Sequence, residues 1–167
     1  MFLSKLFGGR KMTTLAAGAT APDFTLPGMD GKQFSLREAL TRGPVVLAFF
    51  KVSCPVCQMT FPFLQRIHAA GAVRIFGVSQ NDAADTREFN QDFGVTFPTL
   101  LDSEDAGFPV SNDYGIASVP TIFVVEPGGR ITNVIEGWRK REMEDLAAPA
   151  LASLFRKDEY VPEWKAG

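Results

Sequence analysis

Residues 44–52 read PVVLAFFKV, an apolar run interrupted only by Lys51 and bounded by Gly43-Pro44. A strand with no polar face must be covered on both sides, so this one is expected at the centre of a sheet with a layer above and a layer below. That requirement points to an α/β fold. The run leads directly into CPVC, and Cys54 and Cys57 are the only cysteines in the chain. A helix is expected to open there, because Val56, Met59, Phe63, Leu64 and Ile67 recur at helical spacing. Pro62 lies inside this pattern and should kink the helix, since it removes a backbone donor and crowds the preceding turn.

The rest of the sequence supplies the covering layers. LPGMDGKQFSL reads as two short extended pieces, Asp23–Leu26 and Lys32–Ser35, joined around Gly28 and Gly31. A short helix is expected over Leu36–Leu40. Val73–Ser79 reads as a second buried strand. Asn81 and Asp82 are cap candidates for a helix running to Phe93 and stopped by Gly94. TFPTLLD is a short extended piece and VSNDYGI a helical turn. VPTIFVVE and ITNVIEG form a hairpin about PGGR. REMEDLAAPALASLF is a final amphipathic helix interrupted by Pro149. Strand–helix–strand units imply parallel pairing, and the late hairpin adds antiparallel strands. The expected architecture is a mixed central sheet with helices on both faces and an N-terminal β-hairpin.

The chain has 167 residues, enough for one domain with a sizeable core. We expect a flexible leader over residues 1–14, the domain over 15–158, and a polar C-terminal tail over 159–167 with Tyr160 and Trp164 as anchors. A net charge of −2 offers no basic field for nucleic acid. At the N-terminus, Ser4 and Lys5 break Phe2-Leu3, and Gly8-Gly9-Arg10-Lys11 follows, so no signal-peptide core forms. Phe2, Leu3, Leu6 and Phe7 would line one face of a surface-lying helix, but a loose leader is the simpler reading. No segment is long enough to span a bilayer. These features lead us to expect a soluble, cytoplasmic protein.

For the cysteines, three chemistries compete. A structural zinc site wants four ligands. His68, the only histidine, lies 11 residues past Cys57, roughly 16 Å along a helix, so no metal is expected. The second reading is a redox dithiol. Backbone N–H groups at a helix N-terminus stabilise an anion and favour thiolate at Cys54. Cys57 sits one turn on, in reach of a disulfide, and Pro55 suits the first helical position. Cys54 would then exchange with substrate while Cys57 resolves the mixed disulfide. The third reading, two inert buried thiols, leaves the strand–C-P-x-C–helix arrangement unused.

GATAPDFTLPGMDGKQFSL, VVLAFFKVSCPVC and DYGIASVPTIFVVEPGGRI together resemble the thioredoxin superfamily over roughly residues 15–155. They are most similar to its disulfide oxidoreductases of the TlpA and cytochrome-maturation type, which grade into the alkyl hydroperoxide reductase/thiol-specific antioxidant group. The resemblance implies a thioredoxin-like fold and a thiol–disulfide oxidoreductase that reduces or oxidises protein disulfides. It implies that Pro120 is a cis-proline facing the dithiol. Val119, Pro55 and Val56 would line the substrate groove. No cofactor is implied; the partners are protein disulfide or dithiol substrates and a reductant. The chain departs from the family pattern at Ser53, where tryptophan is usual, and at Ala48 and Thr60, where a carboxylate or amide often helps the resolving thiol. Lys51 would favour thiolate at Cys54 electrostatically, although a solvated lysine is the commoner outcome.

Two rival functions frame the expectation. Peroxidases of the peroxiredoxin type resemble P-x-x-x-T/S-x-x-C, but the corresponding positions here are Leu47 and Lys51, or Phe50 and Cys54. A non-enzymatic module docking through Arg139-Lys140-Arg141 is the other, and that run reads more simply as a solvated loop.

Overall fold

The structure is a computed structural model that describes residues 13–167. The expected leader lies, except for Thr13 and Thr14, outside the described residues. Thr14 is held to the domain, its hydroxyl donating to the Gly115 carbonyl at 3.0 Å.

The apolar run forms β3 (Val45–Phe50), buried at every position. It is the middle of a five-stranded sheet. β4 (Ile75–Ser79) pairs with it in parallel, and β5 (Thr99–Leu101) pairs in parallel with β4. On the other side β6 (Thr121–Val125) runs antiparallel, followed by β7 (Ile131–Glu136). The order is therefore β5-β4-β3-β6-β7, with β1 (Thr25–Pro27) and β2 (Gln33–Ser35) forming a separate hairpin. This is the α/β, thioredoxin-like architecture that the residue pattern implied.

Alternation along β3 divides the core. Val46, Ala48 and Phe50 face α2 (Pro55–Ala69), α3 (Ala83–Asp92) and α5 (Lys140–Ala147), and pack with Phe61, Leu64, Ile67, Phe89 and Met143. Val45, Leu47 and Phe49 face α1 (Leu36–Leu40), α4 (Pro109–Asp113) and the hairpin, and pack with Leu36, Val110 and Tyr114. Burial of each large side chain is worth about 1.5–3 kcal/mol, so the two-sided strand is what ties both helical layers to one sheet. Among the described residues no helix is long and apolar enough to cross a membrane.

α2 runs from Pro55 to Ala69 with Pro62 inside it, where the apolar spacing placed it. Two other elements differ from expectation. The final helix is shorter than its amphipathic pattern: α5 ends at Ala147. Pro149 has no N–H to give the Asp145 carbonyl, which instead accepts from Ala148 at 3.4 Å. The C-terminal residues do not stand off as a polar tail. β9 (Trp164–Lys165) pairs antiparallel with β8 (Trp138–Arg139). Tyr160 and Trp164 are exposed and do not anchor this segment. The buried indole of Trp138 does, its Nε1 donating to the Pro162 carbonyl at 2.6 Å.

Candidate active site

The junction between β3 and α2 carries the site. β3 ends at Phe50, and the chain turns through Lys51, Val52 and Ser53. The Cys54 N–H donates to the Lys51 carbonyl at 3.2 Å, closing the turn. Two side chains hold Val52 in place. Its N–H donates to Asn81 Oδ1 at 3.0 Å, and its carbonyl accepts from Gln58 Nε2 at 2.9 Å. Asn81 was a cap candidate from sequence; Asp82 caps α3 instead, which leaves Asn81 for the active-site turn. A short polar side chain between a strand and a capped helix was the only signal for this role.

Cys54 occupies the N-cap of α2, with extended backbone, and Pro55 follows in the first turn. In place of the usual hydroxyl or carboxylate, the Cys54 Sγ accepts from the Cys57 N–H at 3.2 Å. The sulfur thus takes the place of an N-cap acceptor at the helix start. The same thiol donates to the Val119 carbonyl at 3.4 Å. Val119 precedes Pro120 through a cis peptide bond. The fold thus joins Cys54, Cys57 and Val119 around one sulfur, although Cys54 and Val119 are 65 residues apart in sequence. Pro120 is buried, and its carbonyl accepts from the Gly137 N–H at 2.8 Å. Pro55 is exposed and Val56 half-buried at the mouth.

The two thiols, both free, differ in environment. Cys54 is half-exposed, whereas Cys57 is fully buried against the helical layer. Burial pushes the Cys57 thiol strongly upward from its ordinary value, and the side-chain hydrogen bond to Cys54 adds to this. The Thr60 hydroxyl donates to the Val56 carbonyl at 2.7 Å, so it is spent on its own helix. Ala48 is fully buried in β3. Lys51 presents its side chain to solvent. His68 lies at the far end of α2 in edge contact with Phe97, at 5.9 Å between ring centres. A cavity of about 800 Å³ at the start of β3, lined by Pro44, Val46, Val124 and Ile135, includes neither cysteine.

Comparison with known proteins agrees with this geometry. The family model for the AhpC/TSA family matches residues 17–134. The chain belongs to the AhpC/TSA family. It is 31% identical over 134 residues to the thiol-disulfide oxidoreductase ResA of Geobacillus thermodenitrificans, an alignment covering 78% of this chain and 75% of that protein. A solved thiol:disulfide interchange protein from Bacteroides sp. superposes with a TM-score of 0.67 at 25% identity, covering 81% of this chain and 88% of the other. The thioredoxin domain of a thiol-disulfide oxidoreductase from Bacteroides vulgatus shares the fold with a TM-score of 0.71 at 24% identity, covering 81% and 97%. Within the AhpC/TSA family this chain is a thiol–disulfide oxidoreductase.

Proposed function

We propose that the protein exchanges disulfides with protein substrates through Cys54 and Cys57, with Cys54 as the attacking thiol. The observation that carries this reading is the contrast between the two sulfurs. One is half-exposed, capped by a backbone N–H and touching the Val119 carbonyl. The other is buried one turn behind it. An extended substrate docks on the backbone of Val119, as in strand addition, between the walls formed by Pro55 and Val56.

In the reducing direction, Cys54 thiolate attacks one sulfur of the substrate disulfide. The substrate S–S bond breaks, a mixed disulfide forms, and the other substrate sulfur leaves as thiolate. Cys57 then attacks Cys54 Sγ. The Cys54–Cys57 disulfide forms, the second substrate sulfur is released, and the Cys57 proton passes to a released thiolate. The substrate gains two electrons and the enzyme loses them; a dithiol partner returns the enzyme to the reduced state by the same steps reversed. Pro120 shapes the groove opposite the dithiol.

Insulin-disulfide reduction with dithiothreitol as the regenerating dithiol tests the proposal. Wild type should accelerate precipitation of the insulin B chain, and Cys54→Ser should not. Activity that survives Cys54→Ser would overturn the assignment.

A further inference from the structure

Residues 156–167 run back across the domain and end beside the attacking sulfur. Arg66, on the helix that Cys54 caps, grips Glu159 with hydrogen bonds of 2.8 and 2.6 Å. The Trp138 indole then holds the Pro162 carbonyl. The Lys140 N–H donates to the Glu163 carbonyl at 3.0 Å. Lys165 pairs with Trp138, and its carbonyl closes over Gly137, whose own N–H holds the Pro120 carbonyl. Beyond Lys165, Gly167 presses on Val119. A methyl group placed on Gly167 would stand 2.5 Å from the Val119 carbonyl oxygen and 3.3 Å from the Ser118 hydroxyl. One carbonyl therefore meets both the Cys54 thiol and Gly167.

We infer that residues 164–167 are a strap over the substrate groove that makes the enzyme discriminate between disulfides by size. The inference rests on the proposed docking of extended substrates at Val119. Such a substrate needs the backbone that the strap covers, so it must first lift residues 164–167. A small disulfide needs only the half-exposed Cys54 sulfur. The strap is built to lift. It pairs through a two-residue strand, and its largest side chain, Trp164, is 56% exposed. The grip at Glu159 and Pro162 lies upstream, so lifting need not detach the rest of the segment. Gly167 is also the residue type its place requires, since any side chain there meets the Val119 carbonyl.

Two variants test this. One ends at Glu163 and so lacks the strap; the other is full-length Gly167→Val, whose side chain collides with the Val119 carbonyl and pushes the strap off. Each is assayed on insulin and on the small disulfide 5,5′-dithiobis(2-nitrobenzoate), with far-ultraviolet circular dichroism and a urea midpoint confirming the fold. Both variants should reduce insulin faster, on the order of tenfold, which corresponds to about 1.4 kcal/mol of competing interaction removed. Their rates on the small disulfide should stay at the wild-type value. An unchanged insulin-to-small-disulfide ratio, or a fall in the insulin rate, would overturn the strap while leaving the Cys54 chemistry intact. Wild-type exchange that does not depend on Cys54 would remove the docking reading, and the strap with it.

Discussion

The proposed chemistry turns on two sulfurs of one residue type placed in unlike surroundings. Cys54 has solvent on one side and the Cys57 N–H on the other, so it can meet a substrate. Cys57 is fully buried in the apolar cluster beneath the helix, with Cys54 in front of it. Changing Cys57→Ser should therefore accumulate mixed disulfides through Cys54, detectable as mass adducts under non-reducing conditions. The Cys54→Ser protein should accumulate none, and equal trapping by both variants would reverse the roles. The buried thiol also leaves a mark on stability. Its ordinary value is 9.0, and burial raises it. In the reduced protein the neutral Cys57 therefore contributes stability that is complete below pH 9 and falls as pH rises. Tyr114, buried and donating to the Pro22 carbonyl at 2.8 Å, is also raised, from 10.0. Its contribution starts to fall only above pH 10. Urea unfolding of reduced wild type should thus show a loss between pH 9 and 10 that Cys57→Ala does not share. A parallel decline in the variant would assign the loss elsewhere.

At the scale of elements, the strand–turn–helix unit is closed by its own bonds and clamped from outside by Asn81, just before α3. Val52 has its N–H on Asn81 and its carbonyl on Gln58. Asn81→Ala leaves that part-buried N–H without a partner, at a cost of about 1–3 kcal/mol, and frees the turn that aims Cys54. The expected result is a lower urea midpoint together with slower insulin reduction. Loss of stability with a normal rate would make Asn81 structural only. This clamp also marks where the sequence stopped being legible. β3, α2 and the dithiol could be read because their signals are local: an unbroken apolar run, helical spacing, and a proline after the first cysteine. The role of Asn81 depends on which helix residue wins the cap, and Asp82 wins it through a 2.8 Å bond to the Asp85 N–H. The overlong final helix failed for a related reason. Its apolar pattern continues past Ala147, but Pro149 withholds the donor that the next turn needs; Leu151 and Leu154 still pack on the core without helical geometry.

At the scale of the whole molecule, the C-terminal segment joins parts that no local pattern connects. Its composition is polar, so it reads as a tail. Its attachment depends on a carbonyl at Pro162 and a carboxylate at Glu159, and neither leaves a pattern in hydropathy. Arg66 sits on α2, the helix that positions Cys54, and its guanidinium meets Glu159 face to face with two hydrogen bonds. It also packs over the Phe63 ring, 4.7 Å from its centre. The pair is more than a surface contact, because the two side chains are only 28% and 21% exposed. The hydrogen bonds from Arg66 pull the Glu159 carboxyl down from 4.5 to about 2. A lowered carboxylate stabilises the fold fully above its ordinary value, and that contribution is lost as pH falls through the lowered one. Glu159→Gln should therefore cost about 1.5–3 kcal/mol at pH 7, the range for hydrogen bonds to charged groups. The difference between wild type and variant should persist at pH 5, shrink below pH 4.5 and vanish near pH 2. Urea midpoints across that window measure it. A difference already absent at pH 5, or unchanged at pH 2, would show that the pair does not tie the C-terminal segment to the active-site helix.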